Sequence, residues 1–155
     1  MEPFCLDLTL EVTEGSTHDS GKVMVWCRLR ADTGNPLELP PEFIVLERTS
    51  KQWSPPISRE PEISPEELEI FVTLLLRRGF PDHPLEITVT PTDLPGWQDL
   101  RFRVRLNQRE MGLDLTLQYG GIQGPDAPSL REILTKLALL AKLDFPSRWI
   151  DGTTG

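Results

Sequence analysis

The chain offers few residues that could do chemistry. The cysteines are Cys5 and Cys27, and the histidines are His18 and His83. No CxxC, HxH or HExxH spacing joins them, so the clustered ligands of a zinc site are missing. Ser16, His18 and Asp19 are close in sequence, but a triad is assembled in space from oriented hydrogen bonds, and a polar turn supplies neither orientation nor an oxyanion hole. Gly120-Gly121-Ile122-Gln123-Gly124 is glycine-rich, yet it lacks the Lys-Ser/Thr that ends a phosphate-binding loop. Glu66, Glu67 and Glu69 crowd a helix start, where the dipole favours negative charge. The sequence therefore predicts no enzyme, no cofactor and no metal.

Two surface patterns are better candidates. Arg101, Arg103 and Arg105 alternate with Phe102 and Val104, so a strand would point all three outward. The ordinary role is cross-strand pairing with Glu86 and Asp114; the sharper one is a recognition face. Arginines number 12 and lysines 4, and arginine suits bidentate and stacked contacts. Trp53, Trp97 and Trp149 fall outside the regular elements, and tryptophan is enriched at binding hot spots. Pinning a loop to the core is the alternative. These six residues are the candidate partner-binding set.

The elements that must position them follow from periodicity. Phe4, Leu6, Leu8, Leu10 and Val12 alternate with polar residues, predicting a half-buried strand. After the polar turn Glu14–Gly21, alternation resumes over Lys22–Arg30, with Val23, Val25, Cys27 and Leu29 on one face and Met24, Trp26, Arg28 and Arg30 on the other. Phe43–Glu47 makes a third strand. A helix starts at Ser64, with Pro65 at its first position and Glu67 closing a capping box. Leu68, Phe71, Val72 and Leu75 give it a buried stripe that Ile70, Leu74 and Leu76 widen, and Gly79 stops it. Leu85–Val89, Leu100–Leu106 and Leu113–Tyr119 are three more strands, the last two joined by 107–112. A second helix, Leu130–Leu143, is capped by Ser129 and Glu132.

The expectation is one α+β domain over 1–155: an antiparallel sheet of about six strands with two helices on one face, in the order βββα-βββα. The helical segments also align, Ser64 with Ser129, Glu67 with Glu132 and Phe80-Pro81 with Phe145-Pro146, which suggests an internal duplication. Prolines, 15 of 155 residues, punctuate the connections.

Charge bounds the partners. Lys and Arg total 16 against 24 Asp and Glu, net −8. Such a surface argues against general nucleic-acid binding and against anionic membranes, and no apolar run is long enough to span a bilayer. No signal peptide is legible, and two cysteines make no disulfide framework, so the cytoplasm is the expected compartment. The reading is a small acidic non-catalytic protein-interaction module: an inhibitor or immunity-type protein, an adaptor or a complex subunit, with homo-oligomers compatible. The alternatives are a small-molecule sensor or enzyme whose site follows no motif, and an acidic nucleic-acid mimic using carboxylates such as Asp7 and Glu11.

Overall fold

A computed structural model describes residues 2–16, 19–48, 55–89, 96–117 and 122–143, with the backbone alone at 16, 19–21, 96, 97 and 117. The elements run β1 (Cys5–Ser16), β2 (Asp19–Asp32), β3 (Glu42–Glu47), β4 (Ile57–Arg59), α1 (Pro65–Arg77), β5 (Thr88–Val89), β6 (Gly96–Leu106), β7 (Arg109–Leu117), β8 (Ile122–Gln123) and α2 (Ala127–Ala141). One antiparallel sheet has the order β4-β3-β2-β1-β6-β7, and β5 pairs with β8 in a small second sheet. The α+β class, the six-stranded antiparallel sheet and the two helices agree with the sequence expectation.

The alternation read along β1 is the centre of the core. Phe4, Leu6, Leu8, Leu10 and Val12 are all buried, and each such side chain contributes about 1.5–3 kcal/mol when fully removed from water. Val25, Cys27, Leu29, Phe43, Val45, Leu100, Phe102, Val104 and Leu106 join them from neighbouring strands. Leu68, Phe71, Val72 and Leu75 of α1, and Leu130, Ile133, Leu134 and Leu137 of α2, close the same cluster. Both helices therefore cover one face of the sheet. Phe80 meets Phe102 edge-on at 5.9 Å between ring centroids, a favoured aromatic geometry.

The strands depart from expectation at specific places. β1 continues to Ser16 and β2 begins at Asp19, so most of the polar 14–21 stretch is hairpin strand rather than turn. Val12 pairs with Val25 but Thr13 pairs with Val23, making Met24 the extra residue of a β-bulge. A bulge shifts the side-chain alternation by one: Val23 becomes exposed, and Met24 packs against the core instead. The connection between β6 and β7 is only Asn107 and Gln108, with Asn107 at φ 59, a backbone region that Asn tolerates in tight hairpins.

The predicted strand Leu85–Val89 is not in the main sheet. Only Thr88 and Val89 pair, with Gln123 and Ile122. The sixth place is taken by β4, inside the proline-rich stretch 54–64, where the prolines by themselves predict a connection. The duplication is not confirmed: the first half supplies a four-strand meander, the second a two-strand hairpin and a separate ladder.

The helix ends also separate expectation from structure. At α1 the capping box is complete: Ser64 Oγ accepts from Glu67 N at 3.1 Å, and Glu67 Oε1 accepts from Ser64 N at 3.1 Å. At α2 the predicted Ser129 cap is replaced by Asp126, with Pro128 in the first turn. Asp126 Oδ2 does not cap its own helix; it accepts from Glu86 N at 2.7 Å, and Glu132 pairs with Arg78, the residue that follows α1. Ile70 and Leu76, predicted to widen the buried stripe of α1, are 58% and 51% exposed; Ile70 lines the open groove between the two helices instead of packing into the core. Among the described residues no helix is long and apolar enough to cross a membrane.

Candidate protein-interaction face

The pleat sends alternate residues of each strand away from the helices, and the register puts them into rows. Glu42, Arg30, Asp7, Arg105 and Glu110 form one row across β3, β2, β1, β6 and β7; Ile44, Arg28, Thr9, Arg103 and Gly112 form the next; Leu46, Trp26, Glu11, Arg101 and Asp114 the third. This outer face has two halves. The β6 and β7 side is charged. The β2 and β3 side holds Trp26, Ile44 and Leu46, all half-buried without joining the core cluster. Trp26 lies directly opposite Leu46, and cross-strand aromatic–aliphatic neighbours of this kind pack on a shared face. No helix covers this face among the described residues.

Arg101, Arg103 and Arg105 do point outward in register, as predicted. Arg103 reaches Asp114 through two contacts, Nη1 to Oδ1 at 2.9 Å and Nη2 to Oδ2 at 3.0 Å, and Arg101 Nε lies 3.6 Å from the same carboxylate. The hydrogen bond from Arg103, reinforced by the charges of Arg103 and Arg101, holds the Asp114 carboxyl below the usual aspartate range. Glu86, the other predicted partner, takes no part; its backbone is tied to Asp126. Arg105 stands between Asp7 and Glu110 in register, forms no ion pair among the described residues, and lines a shallow cleft of 430 Å³ with Arg30, Asp7 and Glu42.

On the other flank Arg28 grips Asp7 with Nε at 3.2 Å and Nη2 at 3.0 Å. Asp7 and Glu11, read as a hint of a phosphate-like row, thus stand between two arginine columns, and Asp7 is already engaged. Of the three predicted tryptophans, Trp97 belongs to β6 opposite Gly15, with its side chain outside the described set. Trp53 and Trp149 lie outside the described residues. The tryptophan that the structure does place on the face is Trp26. Sequence alternation assigned it to the outer face, but its neighbours Ile44 and Leu46 depend on strand pairing, which alternation does not encode.

A second concavity lies on the opposite side of the molecule. The groove between α1 and α2 measures 910 Å³ and is lined by Ile70, Thr73, Leu74, Thr135 and Leu139, with Glu66, Glu69, Arg77, Arg131, Glu132 and Lys136 around it. Leu139 is 68% exposed.

The reactive side chains do not converge. Cys27 is fully buried in the core, and burial pushes its thiol up to about 12, far from the thiolate that a nucleophile or ligand needs. Cys5 is exposed on the outer rim. His83 is exposed on the turn after α1, and His18 lies outside the described residues. Among the described residues no group of three or more His, Cys, Asp or Glu side chains is placed to hold a metal ion. Comparison with known proteins returns no matching family model, no matching curated protein and no matching solved structure.

Proposed function

We propose that this chain is a non-catalytic protein-binding module of the cytoplasm, an inhibitor, adaptor or complex subunit, that engages its partner through the outer face of the sheet. The observation that supports this reading is the juxtaposition of Trp26, Ile44 and Leu46 with arginine columns on a face that carries no helix. Interface cores concentrate aromatic and arginine side chains, while the surrounding charges set orientation. Trp26 would be the anchor and Arg105 the orienting cation, since Arg101 and Arg103 are already committed to Asp114.

The test is purification of the tagged chain from its native host beside two variants. Trp26→Ser should abolish recovery of a stoichiometric protein partner while leaving circular dichroism unchanged. Leu139→Ser, on the helix side, should leave recovery intact. The opposite pattern, or no partner with any of the three, overturns the reading.

The inter-helix groove favours one second reading, a small-molecule sensor. Its 910 Å³ lies within the roughly 300–1,000 Å³ typical of ligand sites. That reading places the ligand against Ile70 and Leu139, so a thermal shift abolished by Leu139→Ser and untouched by Trp26→Ser would select it.

A further inference from the structure

The two edges of the main sheet are built differently. β4 is three residues long, preceded by Pro55-Pro56 and followed by Glu60-Pro61. Shortness and proline are standard ways to keep an edge from pairing. β7 is nine residues, Arg109–Leu117, with no proline, no lysine and no register shift against β6. Among the described residues no strand pairs with its far side; β5 lies against β7 but ladders only with β8.

The hydrogen-bond parity of that edge is readable. Arg103 Nη1 donates to Phe102 O at 3.2 Å and to Leu113 O at 3.3 Å. One nitrogen reaches both carbonyls only if both lie between β6 and β7, so Phe102 and Leu113 are a hydrogen-bonded pair. Alternation along an antiparallel ladder then turns the N–H and C=O groups of Glu110, Gly112, Asp114 and Thr116 outward.

We infer that β7 pairs with β7 of a second copy of this chain, antiparallel about a twofold axis at Leu113. Outward-facing groups must meet outward-facing groups, which restricts the axis to whole residues. An axis at Gly112 sets Glu110 against Asp114 of the other copy, twice. An axis at Asp114 sets that carboxylate against itself. The axis at Leu113 matches Gly112 with Asp114 and Glu110 with Thr116, opposing no like charges and using all four outward residues. The side chain of Arg103 lies against Gly112, where a Cβ would be only 2.9 Å from Cδ, Nε and Nη1, and is held by Asp114 of its own chain, so it neither crosses the edge nor obstructs it. On the inner face Met111 meets Leu115, and Leu113 meets itself; all three are half-exposed at the margin of the core. This interface is distinct from the outer-face site and needs no other protein.

Sedimentation velocity of the purified chain across a wide concentration range tests it. The mass should rise from 17.6 kDa towards twice that value. Thr116→Lys, which faces Glu110, should strengthen association at least tenfold, and Thr116→Glu should weaken it at least tenfold; because Thr116 also donates to Asp99 of its own chain at 2.8 Å, Asp99→Asn is added to both variants and circular dichroism checks that each is folded. In a Cys5→Ser background, Leu113→Cys treated with oxidised glutathione, which is reduced as the thiols are joined, should give a disulfide-linked dimer, because facing residues at a non-hydrogen-bonded position lie about 4.5 Å apart at Cα, whereas Thr116→Cys should not. A monomer at every concentration, or a dimer indifferent to the charge at position 116, overturns the inference.

Discussion

Gly112 lies beneath the side chain of Arg103, directly across the β6–β7 ladder. The absent Cβ is what lets the guanidinium lie flat and grip Asp114 two residues along the same strand. In Gly112→Ala the new methyl would sit 2.9 Å from Arg103 Cδ, and the arginine would swing away. The Asp114 carboxyl, lowered in the native chain, should then titrate closer to its ordinary range, as followed by carbon chemical shifts. The sign is fixed: a lowered carboxylate contributes stability above its unfolded pKa and loses it as pH falls through the folded one. The acid side of the stability profile should therefore flatten in the variant. Both groups are substantially exposed, so the stability difference near neutral pH should stay below about 1 kcal/mol.

Arg59 ties three elements together. From β4 it contacts Glu47 Oε1 of β3 at 2.9 Å and donates to Ala141 O at 2.9 Å and Lys142 O at 2.7 Å, the open carbonyls at the end of α2. Glu47 is a buried acid on the inner face. Arg59→Met should lower stability by about 2–3 kcal/mol in urea denaturation, because a buried carboxylate loses its cation and a helix end loses its donor. Adding Glu47→Leu should restore part of the loss, since removing both charges is milder than stranding one.

The two helix starts give opposite outcomes for one substitution. Ser64→Ala should cost about 1 kcal/mol, because Ser64 caps α1 through Glu67 N. Ser129→Ala should change stability by less than about 0.5 kcal/mol, as expected for a residue that caps nothing. Equal losses at both positions would contradict the assignment of Asp126 as the residue preceding α2.

The thiols should also separate. Cys5 is exposed and Cys27 buried, with its pKa raised by desolvation to about 12. A thiol reagent at pH 8 should label one cysteine per folded chain quickly and the second only on unfolding. Two fast equivalents would mean that the β1–β2 core is not closed around Cys27.

Much of this fold is legible from local pattern. β1 shows its buried face because it is central, flanked by β2 and β6, and every second residue must be apolar. α1 shows its start because the Ser64–Glu67 box is a local device. Three things were hidden because they are set by tertiary context. β4 is three residues among prolines and exists only by pairing with β3. The bulge at Met24 is invisible without its partner strand, so alternation alone places Val23 on the face of Val25. Asp126 displaced Ser129 because its carboxylate is drawn to Glu86, 40 residues away. At the candidate face the arginine row was readable, since alternation alone turns Arg101, Arg103 and Arg105 outward. The Trp26, Ile44 and Leu46 patch was not, because strand register brings it together.

The most direct test of the outer face as the partner surface is site-specific photo-cross-linking in the native host. A photoreactive residue would replace Leu46 on that face in one chain and Leu139 on the helix side in another. The account predicts a single defined adduct from position 46, lost when Trp26→Ser is added, and none from position 139. An adduct from position 139 alone, or one from position 46 that survives Trp26→Ser, would contradict it.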